Sequence, residues 1–322
     1  MSFTTLTASQ KVFAQDVHEG LRAERKHISS KYFYDKKGDA LFQNIMRCED
    51  YYLTFSELEI LSLKSREILE ACSFPQKKFD VIELGAGDGF KTRRLLDKAR
   101  EDGFDITYVP IDISSNAVEQ LVSKLAIERP ALETRGEVGD YFNVLDRLKN
   151  TNTPKLILFL GSTIGNMQDD TAVSFLTKVS EFMNPNDRLL IGFDQKKEPD
   201  IIRAAYNDQQ GFTRDFNLNL LHRINAELGG DFDPDTFHHY PIYNPHSGRA
   251  KSYLISEISQ EVHIKALNQS YSFEAWESIH TEISQKYNEV DIKRITSASN
   301  LEFLQRFTDV KDYFSDVLLK TK

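Results

Sequence analysis

The chain has 322 residues, a 40% apolar fraction and a formal net charge of −9. That length suits one large domain or two ordinary ones with a real core, and the acidic balance disfavours nucleic acid and anionic membranes as partners. No apolar run is long enough to span a bilayer, and two cysteines, Cys48 and Cys72, are too few for a disulfide framework. They read as reduced thiols in a cytoplasmic protein. The opening segment lacks the basic and apolar regions of a secretory signal. Basic patches are short, as in "KTRR" at Lys91 to Arg94.

In chain order, residues 8–30 carry scattered apolar positions that predict a helix. An aromatic-rich stretch follows, "YFYDKKGDALFQNIMRCEDYYLTFSE". Thr54 and Glu57 have capping-box spacing, which predicts a helix start there and a helix through "SELEILSLKSREILEAC". From Phe79 the period changes. "FDVIEL" is an apolar run ending in "GAGDG", and "KTRRLLDKARED" has helical spacing. "ITYVPIDI" predicts a second strand, with Ser114 or Ser115 capping the helix "NAVEQLVSKLAIE". "KLILFLG" and "RLLIGFD" predict strands around the helix "TAVSFLTKVSEFM". Strands alternating with helices predict an α/β, doubly wound parallel sheet covered on both faces. Ligands of such sheets bind beyond the carboxyl ends of the strands.

After Asp194 the alternation is lost. Residues 196–230 read as helical and 237–266 as strands with a turn at "NPHSG". "ESIHTEISQKY" fits a strand or a helix equally. The tail from about Val290 predicts a helix and two strands returning to the sheet. The expectation is therefore two units forming one cleft: a sheet domain of 61–195 plus 287–322, and a second, α+β domain of 1–60 plus 196–286.

Candidate chemistry gathers at the predicted strand ends. Gly85, Gly87 and Gly89 follow the first strand directly and allow a tight turn and close backbone approach. Phe90 stands where a dinucleotide fingerprint needs glycine, and the acidic Glu83 suits a zwitterion better than a pyrophosphate. Asp112 ends the second strand, where an acid can accept both ribose hydroxyls. Asp140 and Tyr141, after the third, can bracket an adenine. This set fits S-adenosylmethionine better than NAD; the bland reading is a glycine turn and a helix cap. "LILFLGSTIGN" ends the next strand on Gly161, Ser162, Thr163 and Asn166, a polar turn in the same ligand-facing place. Asn166 is either a turn residue or an amide acceptor for an amine. Tyr51 and Tyr206 read as core aromatics or phenol donors to a carboxylate. Glu282 and Ser284 share a face on a strand and diverge on a helix.

No metal is expected. His238, His239 and His246 lack a zinc spacing, and "DFDPDT" has Thr236 where a calcium loop needs Gly and Ile242 where it needs Glu. The sequon at Asn268 reads as chance.

Taken together, "YFYDKKGDALFQNI", "EDYYLT", "ELGAGDGFKTRRLL", "FLGSTIGN", "FNLNLLHRINAELGGDFD" and "TEIS" resemble the histidine-specific, S-adenosylmethionine-dependent methyltransferases of the ergothioneine pathway. The resemblance runs from about Ser30 to the end. It implies a Rossmann-like class I methyltransferase sheet with a substrate-binding second domain, and methylation of the α-amine of a free amino acid, L-histidine first. Gly85, Lys91, Asp112, Asp140 and Tyr141 match cofactor positions, and Gly87 lies in the same loop. Tyr51, Asn166 and Tyr206 match the group that holds the amino acid's carboxylate and α-amine. Tyr34 lies near the amine, so Tyr34 and Asn166 are the catalytic candidates. Glu282 and Ser284 match the pair that binds the imidazole ring. In one departure, Ser252 in "RAKSYLIS" stands where histidine-specific members tend to carry Met. The acceptor therefore stays open to another aromatic amino acid or a tryptophan derivative. A non-catalytic nucleoside-binding protein is the alternative of another class. Neither the number of methyl groups nor an oligomeric state is legible.

Overall fold

The computed structural model describes residues 6–322. Its elements, in chain order, are α1 (Ala8–Arg22), α2 (Lys36–Arg47), α3 (Tyr52–Cys72), β1 (Lys78–Leu84), α4 (Arg93–Glu101), β2 (Asp105–Asp112), α5 (Ser115–Glu128), β3 (Glu133–Thr134), β4 (Glu137–Val138), α6 (Tyr141–Leu148), β5 (Lys155–Phe159), α7 (Asp169–Ser180) and β6 (Arg188–Asp194). Then come α8 (Pro199–Ala205), α9 (Phe212–Leu228), β7 (Phe237–Asn244), β8 (Arg249–Ser256), β9 (Gln260–Ile264), β10 (Gln269–Phe273), β11 (Ser278–Gln285), α10 (Glu289–Ala298), β12 (Leu301–Thr308) and β13 (Phe314–Thr321). They form two compact units. One holds the residues up to Tyr52 and Lys197–Ser284; the other holds Leu53–Lys196 and Gln285–Lys322.

The second unit is built on one sheet, ordered β12-β13-β6-β5-β1-β2-β3, with β4 also on β2. β1 runs parallel to β2 and to β5, with Val81 opposite Tyr108 on one side and Leu156 on the other. The tail returns to the sheet as a helix and two strands, as its sequence predicts, and β13 and β12 pair antiparallel. Every residue of β5 is buried, which is what helices on both faces of a parallel sheet require. One of those helical layers packs Leu145, Leu176, Val179, Ile292 and Ile295 over Ile82, Val109, Ile157 and Leu189. The chain therefore has an α/β, Rossmann-like sheet.

The other unit has a three-stranded sheet, β11-β8-β7, and a β9-β10 hairpin. β7 and β8 pair antiparallel from Phe237 opposite Ser256 to Asn244 opposite Arg249, so the turn falls on the "NPHSG" segment. Its core joins Phe13, Val17 and Leu21 of α1 to Phe216, Leu220 and Ile224 of α9 and to Leu254, Ile264 and Phe273. Gly229 ends α9 in the left-handed conformation and donates its N–H to the Asn225 carbonyl at 3.1 Å.

Three expectations change. The α3 helix starts at Tyr52, so Thr54 is inside it and no Thr54–Glu57 capping box forms; Glu57 turns into the sheet unit instead. The third strand is two fragments, β3 and β4, each pairing with β2. The ambiguous stretch around Glu282 is a strand, β11. Among the described residues no helix is long and apolar enough to cross a membrane.

Gly192 in β6 lies opposite Asp316 in β13. A Cβ there would overlap Glu57 Oε1 and approach Phe314 Cε1 to 2.9 Å. Gly192→Ala should therefore overpack the sheet and cost about 1–3 kcal/mol. Urea unfolding measures this, and an unchanged midpoint would show that the space is there.

Candidate active site

After β1 the backbone turns through Gly85, Gly87 and Gly89, with φ of 75°, 53° and 62°, a left-handed path that favours glycine. The Gly85 N–H donates to the Ile111 carbonyl at 2.9 Å, tying the loop to the end of β2. A Cβ on Gly85 would stand 2.8 Å from the Tyr141 hydroxyl, whereas one on Gly87 would meet nothing within 4 Å. Asp112 ends β2 and accepts the Ser114 N–H at 2.9 Å. Asp140 caps α6, accepting from the N–H groups of Phe142 at 3.0 Å and Asn143 at 3.2 Å. Tyr141 connects them. Burial first, and then the charges of Asp112 and Asp140, push its phenol up to about 12, so it stays a neutral O–H donor. Gly85, Asp112, Asp140 and Tyr141 thus come together at three strand ends. The open side of Gly87 leaves room for a ligand over the loop. Two acids beside a phenol suit a nucleoside, and a phosphate would be repelled.

Beneath the loop lies a layer of buried polar groups. Thr92 donates to Glu83 Oε1 at 2.5 Å, and the Tyr108 hydroxyl donates to Glu83 Oε2. Lys91 forms an ion pair with Glu57, which is fully buried. The Gly161 N–H donates to both Glu57 oxygens, at 2.8 and 3.0 Å. Past Gly161 the chain turns at Ser162, whose φ is 55°. Its hydroxyl accepts the Asp194 N–H at 3.0 Å. A 3₁₀ turn follows over Thr163–Asn166, leaving Asn166 exposed at the end of β5. The polar "GSTIGN" turn is therefore latched to α3 and to the end of β6, and presents Asn166 outward.

The acceptor candidates other than Asn166 belong to the other unit. Tyr34, Tyr51 and Tyr206 line up along one aromatic run. Tyr34 meets Phe42 edge-on at 5.5 Å, Phe42 meets Tyr51 at 6.4 Å, and Tyr51 meets Tyr206 at 6.5 Å. Tyr34 is 45% exposed and Tyr206 only 6%. Glu282 and Ser284 alternate along β11 and so share a face. The Ser252 hydroxyl of β8 donates to Glu282 Oε2 at 3.3 Å. Thr281, the residue before Glu282 and so on the opposite face of the strand, donates to Asn217 Oδ1 of α9 at 2.7 Å.

Sequence reasoning missed Glu57 as a site neighbour, because its partners are 34 and 104 residues away. It also missed the Ser252–Glu282 bond. Among the described residues no group of histidine, cysteine and acidic side chains could hold a metal. Cys48 and Cys72 are free and buried.

A parallel sheet with a glycine turn after its first strand, an acid at the tip of the second and an aromatic after the third fits an S-adenosylmethionine-dependent methyltransferase. Residues 13–321 match the family described as histidine-specific methyltransferase, SAM-dependent, and the chain belongs to that family. It is 34% identical over 302 residues to a histidine N-alpha-methyltransferase of Mycobacterium tuberculosis, covering 94% of this chain and 92% of the relative. It is 32% identical to one of Mycolicibacterium smegmatis, with 96% and 94% covered. A more distant relative, an L-tryptophan methyltransferase of Psilocybe serbica, is 28% identical, with 85% and 82% covered. S-adenosylmethionine is thus the cofactor, and methyl transfer the reaction.

Burial raises the Glu83 carboxyl to about 7 from 4.5, against the opposing hydrogen bonds of Thr92 and Tyr108. Between those two values the folded state binds the extra proton, so stability should fall as pH rises, by about 2–4 kcal/mol in all. Glu83→Gln should flatten that decline. Urea unfolding at pH 4.5 and pH 8 tests it; an equal pH dependence in both proteins would contradict the assignment.

Proposed function

We propose that this methyltransferase acts on the α-amine of L-histidine. In this reading the sheet domain, 61–195 plus 287–322, binds the cofactor, and the residues of 1–60 and 196–286 bind the amino acid. The observation that carries the choice of histidine is the placement of Glu282 and Ser284 on one face of β11, with Glu282 held by Ser252 at 3.3 Å. A carboxylate and a hydroxyl can satisfy both nitrogens of an imidazole. An indole has one N–H and leaves the second group without a partner.

S-adenosylmethionine, when bound, supplies a methyl group already activated by a sulfonium. The chain's own residues then have to bind, orient and deprotonate the amine. We assign Gly85, Gly87, Lys91, Asp112, Asp140 and Tyr141 to the cofactor. Asp112 accepts from ribose hydroxyls, and Tyr141 lies beside the adenosine. The cofactor has a single anionic group, its carboxylate, and Lys91 is the cation assigned to it. Tyr51, Asn166 and Tyr206 hold the substrate carboxylate and α-amine; the phenols donate and the Asn166 amide oxygen accepts. Tyr34 and Asn166 orient the amine lone pair for in-line attack and relay its proton. No strong general base is assigned. Holding the substrate by its carboxylate and ring lets it stay bound while its amine loses donors, and the product would belong to ergothioneine synthesis.

The acceptor is a free amino acid, and the net charge of −9 weighs against nucleic acid and anionic membranes. The two free, buried cysteines support a cytoplasmic location. A tryptophan derivative is the second reading, favoured by the small side chain of Ser252 beside Glu282.

The test compares kcat/KM for histidine, tryptophan, tyrosine and phenylalanine in the wild type and in Glu282→Ala. Histidine should lead in the wild type. The variant should lose about tenfold or more on histidine and narrow the gap to the larger rings. A wild-type preference for another ring, or an unchanged ranking in the variant, would contradict ring recognition by Glu282.

A further inference from the structure

Glu57 and Asp316 are both fully buried. They come from α3 and β13, and both lie beside Gly192: Asp316 is its partner across the sheet, and Glu57 Oε1 fills the space its missing side chain leaves. Their surroundings differ sharply. Glu57 accepts from the Lys91 ammonium and, with both oxygens, from the Gly161 N–H. Among the described residues neither Asp316 oxygen has a hydrogen-bond donor. Two neighbouring carboxyl groups buried without water disfavour double ionisation. The hydrogen-bond donors converge on Glu57 and none reaches Asp316, which favours the charge on Glu57 and the proton on Asp316. Burial first, and the Glu57 charge second, push the Asp316 carboxyl well above its usual range, against the pull of Lys91. Glu83 of β1 is a further titratable group beside this cluster, and it feels both Lys91 and Glu57.

We propose that Glu57 and Asp316 form one proton-sharing carboxyl pair that positions Lys91 for the cofactor. An ammonium has three N–H donors. Glu57 takes one and fixes the side chain, and the Lys91 side chain stays 19% exposed. Asp316 contributes a neutral donor that holds the Glu57 carboxylate in place without adding a second charge. Glu57 and Asp316 are positioning residues, because they act through Lys91. The same carboxylate latches the Gly161 turn, so the cation and the start of the turn that carries Asn166 share one anchor. This inference rests on the assignment of Lys91 to the cofactor.

Calorimetric titration with S-adenosylmethionine, paired with steady-state kinetics and thermal unfolding, tests it on Glu57→Gln, Asp316→Asn, Asp316→Ala and Lys91→Met. Glu57→Gln should raise the cofactor Kd by about tenfold or more, with a much smaller change in kcat at saturating cofactor. Asp316→Asn keeps a neutral donor and should weaken binding several-fold less than Asp316→Ala. Asp316→Asn as damaging as Asp316→Ala would show that Asp316 acts by its charge, and would overturn the shared proton. A folded Glu57→Gln with the wild-type Kd, beside a Lys91→Met that binds weakly, would overturn the positioning role. If Glu57→Gln does not fold, the two Asp316 variants decide. Lys91→Met leaves the carboxyl pair in place; if it binds as tightly as wild type, the Lys91 assignment fails and the inference falls with it.

Discussion

An ionised carboxylate taken wholly out of water is the constraint around which the carboxyl end of this sheet is arranged. A buried charge without partners costs several kcal/mol, and Glu57 has no exposure at all. Its charge is met by the Lys91 ammonium after β1 and by the Gly161 N–H after β5. Making room for it requires a residue without a side chain at Gly192. Its neighbour Asp316 has to keep a proton. A single group on α3 thereby fixes two ligand-facing loops of the sheet relative to each other.

The glycine turn after β1 depends on a different device. The left-handed turn at Gly85 brings backbone close under the Tyr141 hydroxyl, and Tyr141 stands between Asp112 and Asp140. Acidic groups at the ends of β2 and β4 suit a ligand that offers hydroxyls and amines. In the other unit, recognition is assigned to a strand face and to an aromatic run. The hydroxyl of Ser252 on Glu282 gives that carboxylate a defined direction, a function that a methionine at the same position lacks.

Much of the sheet was legible because a parallel strand buried on both faces is a near-continuous apolar run, and "VIEL", "LILF" and "LLIGF" are bounded by turn residues. The cofactor candidates were legible for a related reason: they sit in sequence directly after those runs. What could not be read depends on distant contacts. β3 and β4 are two residues each, too short for any period to register. Thr54 and Glu57 have the spacing of a cap, yet the helix begins two residues earlier, and Glu57 answers to Lys91 and Gly161. The strand β11 was undecided because Trp276, Ile279, Ile283 and Tyr287 also carry a helical spacing. Pairing with β8 in the three-stranded sheet settles it.

The protein is proposed to move a methyl group from S-adenosylmethionine to the amine of one free amino acid. The most direct measurement incubates the protein with methyl-labelled S-adenosylmethionine and an equimolar mixture of the protein amino acids, and follows the label by mass spectrometry with fragmentation. Label is expected on histidine, retained by the fragment that carries the α-amine and absent from the ring. Label on tryptophan in preference to histidine, label on a ring nitrogen, or no labelled amino acid at all would contradict it.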